Sequence, residues 1–313
     1  MTKKPHNKPK KICIFGGTGF IGEGVVPRLL EDGHKIFLLV RSESEISKNW
    51  KENEMITWAL GDATNFATYK NALDNFKPDT LIYLIGLIRE FPERGITWEK
   101  LHYQAFVDVV SILKKDLKKV IYMSADVARS EGTGYETTKW RAEEFIKKSG
   151  VDYTIFRPTI VMAPSAQYHF TQVLQGLTKS PFIPLFGSGS FMLSPVSRDD
   201  VAEAFAQALL IETLNNRTFD VKGQTNVTYR ELLQKIKHLS GRIGILTPIP
   251  LIFFKVLGKV FGRFSWFPFT YDQILMLTRG IVSDNQELWT LMSHHPLPLN
   301  TILQQYRDVS PVE

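Results

Sequence analysis

The sequence predicts an α/β fold: a doubly wound parallel sheet with a smaller, mostly helical C-terminal region. Three observations carry this. Short, near-continuous apolar runs alternate with helix-length amphipathic segments through the first 160 residues, a glycine-rich turn joins the first run to the first helix, and the rhythm breaks after Pro158. Strands that are apolar on both faces belong in a parallel sheet covered by helices on each side. Right-handed crossovers then make the doubly wound arrangement the economical topology.

Taken in order, Lys11–Phe15 reads as strand one, and Gly22–Asp32 as a helix with Val25, Val26, Leu29 and Leu30 on one face, stopped by Gly33. Lys35–Val40 and Met55–Leu60 are strands two and three, and Thr64–Phe76 is a helix ending before Pro78. Thr80–Ile85 is strand four, Trp98–Leu117 a long helix, Val120–Met123 strand five, Tyr135–Lys148 a helix and Tyr153–Phe156 strand six. Pro164, Pro181, Pro184 and Gly187-Ser188-Gly189 then break the chain into loops around a short helix. Asp199–Ile211 is a helix and Thr218–Val221 a strand, while Thr228 and Glu231 form a capping box that opens the helix Tyr229–Leu239. From Ile245 the chain is aromatic-rich and reads as helical. The expected organisation is a basic leader at 1–10, a sheet domain at 11–160 joined by 196–223, and a smaller region from 161–195 and 224–313 built over the carboxyl ends of the strands.

Composition narrows the class. In 313 residues, 43% hydrophobic and 22% charged content excludes overall disorder. The single cysteine, Cys13, excludes a disulfide framework and a thiolate zinc cluster; it sits on an apolar run and reads as a buried filler in a reducing compartment. Of the net charge of +6, Lys3, Lys4, Lys8, Lys10 and Lys11 supply five, leaving a body near +1 (6 − 5), so no nucleic-acid partner is expected. The leader lacks the apolar core of a secretory signal and the Arg/Ser-rich pattern of a transit sequence. No stretch reaches the roughly 18 apolar residues of a spanning helix. The expectation is a cytoplasmic protein, at most peripheral to a membrane. The seven histidines show no metal-ligand spacing, and His294-His295 reads as surface.

Strand one runs into Gly16-Gly17-Thr18-Gly19-Phe20-Ile21-Gly22 and then a helix. Glycines 16, 19 and 22 follow G-x-x-G-x-x-G: the first permits the tight turn, the second lets a pyrophosphate approach the backbone, and the third allows close packing of helix on strand. The helix N-terminus then faces the phosphates with its positive dipole end. A ribose reader belongs about 20 residues further on. Strand two ends there in Arg41, whose fork geometry and charge suit a 2′-phosphate, so NADP(H) is favoured with NAD(H) possible. The alternative is a solvated Arg41 with Glu43 or Glu45 as the acidic reader. Asp62 after strand three either faces the adenine or caps a helix.

Strand five ends at Ser124, and Tyr135-Glu136-Thr137-Thr138-Lys139 opens the next helix. The i, i+4 spacing puts Tyr135 and Lys139 on one face. There a phenol can act as general acid/base, its pKa lowered by the ammonium, which also holds the ribose, while Ser124 bonds the substrate oxygen. Chance alone gives about one Y-x-x-x-K pair in a chain of this composition, so position in the fold carries the argument.

Together GGTGFIG, VIYMSA, YETTK and Phe156-Arg157-Pro158-Thr159-Ile160-Val161 resemble the short-chain dehydrogenase/reductase superfamily, in its extended and atypical, epimerase-like members. LHYQAFVDVV, SPVSRDDVAEAFAQAL, TFDVKGQTNVTYRELLQKI, TPIPLIFFKVLGKVFGRF and FTYDQILMLTRGIVSDN are similar to an atypical group that includes the nucleotide-binding accessory subunit of respiratory complex I and its bacterial relatives. The resemblance runs from Lys11 to Asn285. It implies a Rossmann fold holding NAD(P)(H), with Gly16, Thr18, Gly19, Phe20, Ile21 and Gly22 at the pyrophosphate and Ser124, Tyr135 and Lys139 at the catalytic positions. The chain departs from the family at Leu84-Ile85-Gly86, where the usual strand-four motif is absent, so the cofactor wall at Gly86 differs. Members of the atypical group often bind nucleotide with no demonstrated reaction.

The leading expectation is therefore NADP(H)-dependent hydride transfer at a carbonyl or carbinol. A non-catalytic accessory or assembly protein of a membrane complex is the alternative, and a nucleotide-sugar epimerase or dehydratase a weaker one. Tyr168, Phe170, Phe186, Phe191 and Met192 in the loops Ala163–Phe170 and Phe182–Met192 point to a hydrophobic substrate. Arg157 lines the substrate side or is a structural strand-end residue. In Ile249–Phe269, apolar residues combined with Lys255, Lys259 and Arg263 fit either an interfacial amphipathic helix or a helix packed on its own domain or on a partner.

Overall fold

Four consecutive buried residues, Ile12 to Phe15, make β1 (Lys11–Phe15) a strand covered on both faces. The same holds for β2 (Lys35–Val40), where only Lys35 is exposed. A computed structural model describes residues 8–163, 181–239, 244–264, 266–280 and 286–305. The chain divides into two units, Met1–Arg157 with Val201–Phe219, and Pro158–Asp200 with Asp220–Glu313.

The first unit is built on a seven-stranded sheet with β3 (Ile56–Leu60), β4 (Thr80–Tyr83), β5 (Lys119–Met123), β6 (Asp152–Pro158) and β11 (Arg217–Val221), in the order β11-β6-β5-β4-β1-β2-β3. Pairings from β3 through β6 are parallel; Cys13 lies between Phe37 of β2 and Leu81 of β4. The chain builds outward from β1 on one side and then returns to build on the other. That reversal opens a crevice at the carboxyl ends of β1 and β4, where α/β sheets bind ligands. One face of the sheet carries an aromatic core: Phe15 stacks on Tyr83 at 5.7 Å, and Phe106 packs on Tyr122 at 4.5 Å. The buried phenols remain satisfied, Tyr83 donating to the Leu101 carbonyl at 2.5 Å and Tyr122 to that of His102 at 3.4 Å.

Three elements differ from expectation. The helix expected over Thr64–Phe76 is a 3-10 turn at Phe66–Thr68 followed by a helix at Lys70–Phe76. Strand four ends at Tyr83, before Leu84 and Ile85. The long helix begins as a π-helix, Glu99–Gln104, before the α-helix Ala105–Leu113.

The second unit packs Phe186, Tyr229, Leu232, Leu233, Ile236, Phe254 and Ile302 into its own core. It holds more strand than expected. Ile245–Ile249, read as helical, is β13 and pairs in parallel with β8 (Phe182–Phe186). Pro248 and Pro250 deny this stretch a helix interior, and Ile245, Thr247 and Ile249 are β-branched. β7 (Val161–Met162) pairs with β10 (Val196–Ser197), and β9 (Met192–Leu193) with β12 (Val227–Thr228). The capping box forms as expected: Thr228 N–H donates to Glu231 Oε2 at 2.8 Å, and Glu231 N–H to Thr228 Oγ1 at 3.1 Å, opening Tyr229–Leu239. The short helix expected around residues 164–180 lies outside the described residues.

Candidate functional site

The turn after β1 is shaped by its glycines. Gly16 takes φ +82°, and a Cβ there would stand 3.1 Å from the Ile85 amide nitrogen, so the turn sits against the end of β4. A Cβ on Gly22 would lie 2.1 Å from the Gly17 carbonyl oxygen, so this glycine lets the helix Gly22–Glu31 (α1) enter close to the turn. Gly17, which the spacing argument passed over, lies tight on Leu38: a Cβ would meet its Cδ2 at 2.5 Å. Gly19 differs, because a Cβ there would touch only the Gly16 carbonyl oxygen, at 3.3 Å, and would otherwise stand in open space. Its amide donates to that same oxygen at 3.1 Å. Ile21 is the N-cap of α1 and no side chain caps the helix, so its positive end stays available to an anion. Thr18 and Phe20 are half-buried on the same turn. An open face at Gly19 beside an uncapped helix N-terminus fits a pyrophosphate.

At the end of β2 the two proposed ribose readers are joined to one another. The exposed Arg41 guanidinium lies 2.7 Å from Glu45 Oε1, and the Arg41 amide donates to Glu45 Oε2 at 3.2 Å. Asp62 holds its own loop, accepting from the Thr64 amide and hydroxyl at 2.8 Å each. It is not the N-cap of the following helix; that position is Tyr69. Gly86 is exposed beyond β4, with only the Leu84 carbonyl oxygen near its missing Cβ, at 3.7 Å.

Tyr135 and Lys139 are carried on the helix Gly134–Lys147. Its start is fixed by a capping box: Thr133 N–H donates to Glu136 Oε2 at 2.6 Å, and Glu136 N–H to Thr133 Oγ1 at 3.4 Å. Gly134 is required there, since a Cβ would fall 2.8 Å from the Trp98 ring. The half-buried Tyr135 ring meets Trp98 and His102 edge-on at 6.2 and 5.2 Å. The buried Lys139 ammonium donates to the carbonyls of Ile85 at 3.0 Å and Met123 at 2.8 Å, and lies 5.0 Å from the centre of the Tyr122 ring. It is therefore fixed at the carboxyl ends of β4 and β5. Burial lowers its pKa to about 7, with the Glu143 carboxylate acting in the opposite direction.

The phenol corrects the expectation of a lowered pKa. Burial raises Tyr135 well above the ordinary tyrosine range, and the Asp126 carboxylate adds to the rise. Lys139, expected to lower it, instead donates to two backbone carbonyls. His102 stays neutral, held far below the usual imidazole range by burial and by the charge of Lys139.

Ser124 lies in a different partnership from the one its position suggested. Its buried hydroxyl donates to Glu143 Oε1 at 2.5 Å, so toward a substrate oxygen it presents lone pairs rather than a proton. Glu143, fully buried, also receives Arg157 through Nε at 2.9 Å and its terminal nitrogen at 2.6 Å. Of the two readings of Arg157, its geometry is the structural one. Sequence reasoning missed Glu143, although Tyr135, Lys139 and Glu143 repeat every four residues along one helix face.

Other expectations resolve simply. Cys13 is fully buried, with a thiol pKa raised by that burial, as a filler requires. His295 is exposed as expected, while the half-buried His294 is tied down: its Nε2 lies 2.8 Å from Asp200 Oδ1, and Asp200 also accepts from Ser197 at 2.6 Å and the Leu297 amide at 2.9 Å. Phe186 and Phe191 stack on Tyr229 at 5.5 and 5.0 Å within the second unit's packing. Met192 is exposed, while Tyr168 and Phe170 lie outside the described residues. A groove of about 630 Å³ lined by Tyr103, Lys114, Trp140, Arg141, Glu144 and Lys148 contains neither Tyr135 nor Lys139 and is separate from the site.

Comparison with known proteins agrees with this geometry. A family model described as NAD(P)H-binding matches residues 16–212. The photosystem II assembly factor Ycf39 of Cyanophora paradoxa is 23% identical over 266 residues, covering 82% of this chain and 76% of the relative. The mitochondrial NADH-ubiquinone oxidoreductase 40 kDa subunit of Neurospora crassa is 22% identical, covering 82% and 67%. Among solved structures, an epimerase from Methanothermobacter thermautotrophicus superimposes with a TM-score of 0.74 at 15% identity, covering 96% of this chain and 91% of that one.

Proposed function

Because the chain belongs to the NAD(P)H-binding family, we propose that it holds NADP(H) against the Gly16–Gly22 turn and reduces the carbonyl of a hydrophobic small molecule. The bound cofactor supplies the hydride. The observation that carries the reading is a phenol one helical turn from a lysine whose amine is fixed at the carboxyl ends of β4 and β5. Tyr135 would give its proton to the carbonyl oxygen as that oxygen gains negative charge. Lys139 holds ribose hydroxyls and favours the developing charge through its own.

The preference for NADP(H) rests on Arg41. Its pair with Glu45 is exposed, and such pairs contribute only about 0–1 kcal/mol. A 2′-phosphate offers more charge and a bidentate match to the guanidinium, so it displaces the carboxylate. Calorimetric titration should show NADPH binding at least tenfold tighter than NADH, about 1.4 kcal/mol, with the margin lost in Arg41→Ala. Tighter NADH binding would make Glu45 the ribose reader and sink the assignment. Changing Tyr135 to Phe should abolish NADPH oxidation by a panel of hydrophobic aldehydes, ketones and quinones while leaving NADPH affinity within about twofold. Undiminished turnover would refute the role given to the phenol.

A second reading has its own support. The Ser124 proton is committed to Glu143 and so is not offered to a substrate oxygen. Relatives include an assembly factor and a respiratory-complex subunit. On this reading nucleotide stabilises the fold of an accessory or assembly protein and is never consumed. Tight NADPH binding with no oxidation across the whole carbonyl panel would favour it.

A further inference from the structure

The helix Leu251–Phe261 has its polarity reversed for a helix at a protein surface. Its buried residues are Phe254 and Gly258, one turn apart, and Gly258 lies so close to the next helix that a Cβ would stand 2.9 Å from the Tyr271 amide nitrogen. The side facing away from that contact ought to be polar. Instead it carries Ile252 at 61% exposure, Phe253 at 58%, Val256 at 53%, Leu257 at 40% and Val260 at 52%. The chain beyond adds Phe264 and the 69%-exposed Trp266, whose rings stack at 6.0 Å.

Charge decides what covers this face. Lys255 and Lys259 flank the apolar stripe one turn apart, and Arg263 follows in the turn. From Leu232 to Tyr271 there is no aspartate or glutamate. Seating the same face of a second copy here would bring these cations together with no acid in that stretch to offset them, since a two-fold contact sets like against like. An anionic lipid surface meets both requirements. Apolar side chains enter the acyl boundary, tryptophan and phenylalanine occupy the headgroup level, and the lysines extend back to the phosphates. Among the described residues no helix is long and apolar enough to cross a membrane, so the contact lies in the interface plane.

We propose that the Leu251–Phe261 helix, with Phe264 and Trp266 beyond it, is a docking surface for an anionic lipid bilayer. The inference does not depend on the nucleotide reading.

The test is co-flotation of the full chain with phosphatidylcholine vesicles, with and without phosphatidylglycerol. The chain should float with the mixed vesicles and far less with the neutral ones. Lys255→Glu with Lys259→Glu should weaken flotation by at least about tenfold. So should Phe253→Ser with Val256→Ser and Val260→Ser; an unchanged circular dichroism spectrum and urea midpoint verify that these variants fold. Brominated lipid should quench fluorescence in the wild type and less in Trp266→Phe. Three results would overturn the proposal: no flotation with mixed vesicles, flotation that survives both sets of helix substitutions, or flotation lost only when Lys3, Lys4 and Lys8 of the leader become glutamine. Concentration-dependent self-association that the same helix substitutions abolish, without lipid binding, would equally overturn it in favour of a second copy.

Discussion

Tyr135 and Lys139 share a helix face, yet their surroundings move their protons in opposite senses. The phenol holds its proton more tightly than usual, and the ammonium less so, at about 7. An unfolded lysine titrates near ~10.4. Between those values the unfolded chain binds more protons than the folded one, so the penalty of burying Lys139 is complete below about 7 and declines as pH rises toward ~10.4. Relative to Lys139→Met, wild-type stability in urea should therefore climb with pH across that window; parallel profiles would exclude the shift. Glu143 opposes the shift at Lys139 and holds Ser124 and Arg157. Replacing it with alanine removes a buried carboxylate from a bidentate guanidinium and should cost about 3 kcal/mol, read from the shift in denaturation midpoint. At this scale the glycines, Tyr135 and Lys139 were legible, because spacing alone puts them on one turn and one face. Where the protons go was not legible. That depends on the carbonyls of Ile85 and Met123 and on Glu143, which only the folded sheet brings to Lys139 and Ser124.

Elements were legible wherever local pattern and tertiary burial agree. β1 and β2 run over the residues that their apolar runs indicate, and so does the helix Tyr229–Leu239 with its capping box. They were misread where a local pattern serves two outcomes. The aromatic-rich stretch from Ile245 opens as a strand because β8 offers a parallel partner that no local signal announces. The π-helix Glu99–Gln104 is equally silent in sequence, yet it lies where the Tyr83 and Tyr122 hydroxyls reach the Leu101 and His102 carbonyls. The helix bearing Tyr135 depends on its Thr133–Glu136 box at the first turn. Thr133→Ala should lower stability by about 1 kcal/mol. It should also reduce turnover more than NADPH affinity, because the frayed turn carries the phenol and not the glycines. Equal loss in both would show that the box serves the whole unit rather than the end that presents Tyr135.

At the scale of the whole molecule, the doubly wound parallel sheet followed from alternation and crossover handedness, whereas the second unit's three small ladders did not, being two to five residues long. The chain leaves the first unit at Arg157 and returns to it only at Val201, and β11 reaches the edge of the sheet later still, beside β6. On the ribosome, β6 therefore emerges as a bare sheet margin and remains so until some sixty further residues have been translated, a wait of several seconds at ~5–20 residues per second. Through that interval its unpaired amides and carbonyls are open to strands of neighbouring nascent chains. Slowing translation across residues 159–216 should therefore lower soluble yield, and a chaperone that covers β6 meanwhile should restore it.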